Sequence, residues 1–205
     1  MKLLHIDAGI TGPNSVSRQL SSAIVEALAT ADPTIEIVAR DLDSDPIPHL
    51  DGGDFGLRVV EGADDAAARA AAVLQEFLDA DVVVIGAPMY NLSIPSQLKA
   101  WFDRVLIAGK TFRYTAAGPE GLSGGKRVIV ASARGGLYAP GTAQADSDFH
   151  EPYLKTLFHF IGIDDVAFVR AEGVAISPEQ RQAAVSAALA TAPAAAAGAV
   201  TALAA

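Results

Sequence analysis

Val82-Val83-Val84-Ile85-Gly86-Ala87-Pro88-Met89-Tyr90-Asn91 is the stretch on which the fold class turns. Four branched apolar residues in a row, with no polar alternation, make a strand buried on both faces. Such strands belong to parallel sheets with helices packed on either side. The run empties into a loop that sets a thioether, a phenol and an amide side by side. That mixture suits a flat heteroaromatic ring, with apolar surfaces for stacking and amide or backbone groups for ring-edge heteroatoms.

The same alternation extends outward from this strand. Upstream, Val73, Leu74, Phe77 and Leu78 recur at helical spacing and predict a helix over 63–80. Downstream, Pro95 suits the first turn of a helix over 95–107. Apolar runs at 3–6, 35–38, 128–131 and 166–169 read as four further strands. Leu20, Ile24, Val25 and Leu28 place a helix from about Ser15, and another is expected over 151–161. Ser177-Pro178-Glu179-Gln180 is a capped start for the last helix. Loops are expected over 41–56 and 134–148. Five strands alternating with helices imply a doubly wound α/β fold with a five-stranded parallel sheet.

From Ala183 onward no residue is charged, a length that by itself reaches that of a membrane span. Alanine is only weakly apolar, however, and Ser186, Thr191, Pro193, Gly198 and Thr201 interrupt the run. The expectation is therefore one domain over 1–190, then a frayed Ala-rich tail over 191–205.

Composition narrows the function. Hydrophobic residues at 51% against 19% charged exclude intrinsic disorder. A net charge of −9 argues against a nucleic-acid surface, which needs clustered cations. Without cysteine there is no disulfide framework, thiolate metal site or thiol nucleophile. His5, His49, His150 and His159 have no spacing that gathers a metal, and no Gly-x-Ser-x-Gly elbow is present. No apolar leader precedes Asp7, so a cytoplasmic enzyme without membrane or nucleic-acid partners is expected.

Ligands of doubly wound sheets sit beyond the carboxyl ends of the strands. After the first strand comes Asp7-Ala8-Gly9-Ile10-Thr11-Gly12-Pro13-Asn14-Ser15-Val16-Ser17-Arg18. Asp7 replaces the leading glycine of a dinucleotide fingerprint, while Ser15 and Ser17 fall where a helix begins. Unpaired amides, partial positive charge and hydroxyls there suit a terminal monophosphate, although Ser15 alone reads equally as an N-cap. After the fourth strand, Ala133-Arg134-Gly135-Gly136-Leu137-Tyr138 lets backbone amides approach a ligand, and Arg134 offers to offset negative charge. Gly124-Gly125-Lys126 looks like the end of a P-loop but lacks its Ser or Thr, and is expected only to solvate the entry to that strand.

Taken in order, these segments resemble the FMN-dependent NADH-azoreductases, flavodoxin-fold enzymes of the NAD(P)H:quinone reductase group. The carriers are Asn14 to Leu20, Pro88 to Leu92, Gln97 to Asp103, Thr111 to Thr115, Gly118 to Leu122, Ala133 to Gly136, Phe160 to Ile163 and Ala171 to Gly173. The resemblance implies FMN, one per subunit, with NADH as donor and quinones or azo compounds as substrates. It places Ser15, Val16 and Ser17 on the phosphate. Met89, Tyr90, Asn91 and Leu92 would line the ring and ribityl chain, and Ala133, Arg134, Gly135 and Gly136 its pyrimidine end. Tyr138 would be the catalytic residue at the flavin edge, and Tyr114 and Phe160 would flank a substrate pocket built across a homodimer interface. Gly9 stands where the family usually has a phosphate-binding serine, which implies looser FMN retention. A flavodoxin-like electron carrier is the rival; the length, the long loops and the aromatic stretch from Trp101 to Tyr114 stand against it.

Overall fold

Each expected apolar run becomes a strand of one parallel sheet in the computed structural model, which describes residues 1–54 and 63–203. The chain runs β1 (Lys2–Asp7), α1 (Val16–Ala31), β2 (Glu36–Asp41), α2 (Ala63–Asp79), β3 (Val82–Pro88) and α3 (Ser96–Val105). It continues through β4 (Phe112–Thr115), β5 (Gly118–Gly121), β6 (Arg127–Arg134), α4 (Glu151–Phe160), β7 (Val166–Glu172) and α5 (Pro178–Leu203). The sheet order is β2-β1-β3-β6-β7, all parallel, so the winding reverses between β1 and β3. That reversal opens a crevice at the carboxyl edge, where such sheets take their ligands. The end of the loop expected over 41–56 and the last two residues of the expected tail lie outside the described residues.

Side chains alternate strictly across the central strands and fill two different layers. Val83, Ile85, Val128 and Val130 face α2, α3 and α4, where Phe77, Trp101, Phe102 and Phe158 pack edge to face. Burying one such ring contributes about 1.5–3 kcal/mol, so this is the heavier half of the core. Val82, Val84, Ile129 and Ala131 face α1 and α5. There Leu20, Ile24 and Leu28 meet Ala188, Ala192, Ala196 and Ala199, whose small side chains let the two helices lie close.

Three expectations change. The residues from 191 onward are not a frayed tail: α5 continues to Leu203 with Pro193 inside it, and buries Ala192, Ala196 and Ala199. Packing against α1 outweighs the intrahelical hydrogen bond that Pro193 forfeits. By length and composition the segment Pro178–Thr201 also passes the test for a membrane span. The second change is the antiparallel pair β4–β5, unforeseen because Gly118-Pro119-Glu120-Gly121 carries none of the usual strand formers. The hairpin docks through Gly121, where a Cβ would fall 2.0 Å from the Gly162 amide, so only glycine fits. Lys126 likewise does more than solvate a strand entry, since its Nζ donates to the Leu78 and Ala80 carbonyls at 2.7 and 2.6 Å and closes the end of α2.

Candidate functional site

The loop after β1 forms a 3-10 turn over Gly12–Asn14 and delivers Ser15 as the N-cap of α1. The Ser15 hydroxyl accepts from the Arg18 amide at 3.4 Å and shares a 3.0 Å hydrogen bond with the Ser17 hydroxyl. Both serines are buried. Their mutual bond uses one of two hydroxyl protons, and the amides of Val16 and Ser17 have no backbone acceptor among the described residues. Three donors therefore converge at the start of α1, a geometry that fits a phosphate monoester. Gly9 is part of this fit. A Cβ there would lie 2.4 Å from the Ser15 hydroxyl and 3.2 Å from that of Ser17. The glycine thus does more than omit a hydroxyl: it leaves the space that the capping hydroxyl of Ser15 occupies.

Three side chains from different elements hold the loop. Arg18 donates through Nε to the Gly9 carbonyl at 2.9 Å and pairs with Asp41 at the end of β2. The Arg18 guanidinium in turn holds the Asp41 carboxyl down at about 2. The Tyr90 hydroxyl accepts from the Ile10 amide at 3.1 Å, bridging to the loop after β3. Arg181 on α5 donates to the Asn14 carbonyl at 2.8 Å.

Beyond β3 the chain reverses in a tight turn in which Tyr90 and Ser93 exchange both backbone hydrogen bonds. Asn91 and Leu92, at its centre, take positive φ values of 48° and 72°. Asn tolerates this conformation, but Leu pays for it, and such strain persists only where the surroundings impose it. Here they do: the Leu92 carbonyl accepts from the Phe149 amide at 3.1 Å and the Met89 amide donates to the Ala133 carbonyl at 2.8 Å. Met89, Tyr90 and Asn91, with Ile10, Ile94 and Tyr153, line a crevice of about 790 Å³. That volume lies within the usual range for a small-molecule site.

The loop after β6 has its carbonyls committed and its amides open. Arg134, Gly135 and Gly136 accept from Val174, Ala175 and Gly173, while the amides of Gly135 and Gly136 have no backbone acceptor among the described residues. Tyr138 is half-buried, its ring against Gly136 and its amide donating to Glu172 at 2.9 Å. The Arg134 side chain corrects the expectation that it offsets ligand charge. Only 2% exposed, it is turned inward onto Asp148, Glu151 and Glu172. Its side chain is thereby withdrawn from any ligand at the loop, and its carbonyl is taken by the Val174 amide. Glu151 is buried, which opposes ionisation, yet Arg170 and Arg134 together hold it below the usual carboxylate range. Against this cluster lies His150, fully buried beside the Ala87 backbone, with no well-formed hydrogen bond at either ring nitrogen among the described residues. Burial, then the Arg134 charge, pushes it down to about 4, so it is neutral at pH 7.

Gly9, Ser15, Val16 and Ser17 thus follow β1, Met89 to Leu92 follow β3, and Ala133 to Tyr138 end and follow β6, so that all three groups lie at the carboxyl edge of adjacent strands, the β3 turn between the other two. Tyr114 and Phe160 do not join them within one chain. They flank Phe112 at 5.5 and 4.6 Å on the β4–β5 hairpin side, and Tyr114 is 75% exposed. Sequence reasoning missed Ile10, Tyr153, Arg18 as loop clamp and Arg181; only the aromatic Tyr153 at the start of a helix beside the site carried a usable signal. No three His, Asp or Glu side chains gather as a metal site among the described residues.

A family model described as flavodoxin-like fold matches residues 1–195. The chain is 58% identical over 191 residues to FMN-dependent NADH:quinone oxidoreductase 1 of Xanthomonas axonopodis pv. citri (strain 306), covering 93% of this chain and 94% of that one. It is 32% identical to the azoreductase of Bacillus anthracis str. Sterne, with a TM-score of 0.84 and coverage of 96% and 98%. An FMN-dependent NADH-azoreductase of Bacillus anthracis str. Ames Ancestor, solved in complex with FMN, superposes with a TM-score of 0.81 at 31% identity, covering 93% and 97%.

Proposed function

The chain belongs to the family of FMN-dependent NADH:quinone oxidoreductases and azoreductases on the flavodoxin-like fold, and on that premise we propose that it takes one FMN per subunit and reduces quinones and azo compounds with NADH. FMN, held by Ser15 to Ser17 and Met89 to Leu92, would supply two-electron hydride chemistry between NADH and the second substrate in a ping-pong cycle, needed once for a quinone and twice for the cleavage of an azo bond to amines. The observation that carries the reading is that the loops after β1 and β6, on either side of the β3 turn at the carboxyl edge of the sheet, both carry open donors. The amides of Val16 and Ser17 and the paired hydroxyls await a phosphate. The amides of Gly135 and Gly136 await ring-edge acceptors.

Between them, Met89, Tyr90, Asn91 and Leu92 wall the ring and exclude water from it. Ala133 and Arg134 shape the pyrimidine end by carrying the loop, and the Tyr138 hydroxyl donates to negative charge there. Tyr114 and Phe160 reach a pocket only in a homodimer, whose formation covers the exposed Tyr114 ring. The cytoplasm is the proposed compartment. The test is initial-rate kinetics of NADH consumption with added FMN against a quinone and an azo dye. Parallel double-reciprocal lines with both acceptors support the reading. Flavin uptake without any reaction with NADH assigns the protein to the electron carriers instead.

A further inference from the structure

We propose that Arg181, on the first turn of α5, is an electrostatic anchor for the phosphate monoester end of the flavin, an inference that rests on the function proposed above. Eight of the nine described arginines are paired with a carboxylate. Arg181 is the exception among the described residues, and its guanidinium is spent on a single backbone acceptor, the Asn14 carbonyl at 2.8 Å. That carbonyl belongs to the peptide that enters Ser15, so covalent geometry puts the guanidinium within about 5 Å of the Ser15 amide. The donors of the phosphate cradle are the next two amides along.

The local charge balance makes this position matter. Arg18, the other cation on the loop, is neutralised by Asp41 and Asp7. The start of α1 contributes only partial charge, and the chain as a whole carries −9. Glu179 does not cancel Arg181: two residues away it lies on another face of α5, and its carboxylate is held by Ser177 and its own amide. Arg181 is therefore the full positive charge left over beside the cradle. It supplies attraction at a site where Gly9 leaves only two hydroxyls.

The test separates charge from loop positioning. Apoprotein of the wild type, Arg181→Gln and Arg181→Lys is titrated with FMN and with riboflavin, which lacks the phosphate, at low and high salt. Arg181→Gln should weaken FMN about tenfold at low salt, and less at high salt, with riboflavin unchanged. Arg181→Lys should keep most of the FMN affinity, because a cation remains. Equal losses for FMN and riboflavin, or no loss for FMN, would overturn the proposal. A wild-type protein that binds neither flavin would overturn the function on which it rests.

Discussion

The two ends of the crevice are built on opposite principles. At the phosphate end the donors are set locally, since Ser15 caps its own helix, Ser17 bonds Ser15 and Arg18 of α1 reaches back to Gly9, while Tyr90 and Arg181 steady the loop from a distance. The ring end is assembled from afar. Its β6 loop is fixed by Asp148, Glu151 and Glu172 through a buried Arg134, and its strained β3 turn is pinned by Phe149. Local construction leaves donors pointing outward at little cost to the fold. Long-range construction ties the geometry around the ring to the stability of the whole carboxyl edge.

The largest expected difference comes from breaking the arginine at each end. Arg134→Met leaves Asp148 and Glu172 without their cation, although Glu151 keeps Arg170, and should cost about 3–5 kcal/mol in urea unfolding. Arg18→Met acts where Asp41 reaches solvent and should cost about 1 kcal/mol. Equal losses would break the comparison. Acid should sharpen it next. His150 is held at about 4 in the folded chain against 6.5 unfolded, so the unfolded state binds the extra proton over that window. Stability should fall by up to roughly 3 kcal/mol as pH drops from 6.5 to 4, and His150→Leu should flatten that slope. Asp41, depressed to about 2 from 3.8, keeps its contribution above 3.8 and loses it only as pH falls toward 2. Hydrogen exchange should therefore rise around 148–151 at a higher pH than around 9–18.

Smaller effects follow at single positions. Ser15→Ala removes a cap and a cradle hydroxyl, and should cost about 1 kcal/mol of stability with about a tenfold loss of FMN affinity. Leu92→Gly should do the reverse to stability, adding about 1 kcal/mol by relieving the positive φ, while FMN binding weakens for want of the ring wall. Urea titration and flavin fluorescence read both. A Leu92→Gly protein that is no more stable would show that the turn carries no strain.

The same contrast explains what was legible in the sequence. The five strands and α1 stood out because their apolar runs, unbroken in β3, β6 and β7 and interrupted only by His5 in β1 and Glu36 in β2, and the period-3.6 spacing mark the elements, and Ser15 followed from capping alone. Whatever depends on distant partners did not. Arg134 reads as a ligand cation until Asp148, Glu151 and Glu172 are seen around it. The alanines of α5 read as a tail until Leu20, Ile24 and Leu28 of α1 are seen beneath them. Gly121 reads as loop until Gly162 is seen against it. Tyr114 is exposed in one chain, and its expected place across an interface is a property of two.

The most direct test of the central claim is a crystal structure with FMN bound. The account predicts the phosphate on the amides of Val16 and Ser17, the ring along Met89 to Leu92, and its pyrimidine edge at Gly135 and Gly136. A phosphate held elsewhere, or a ring seated away from the β3 turn, would contradict it.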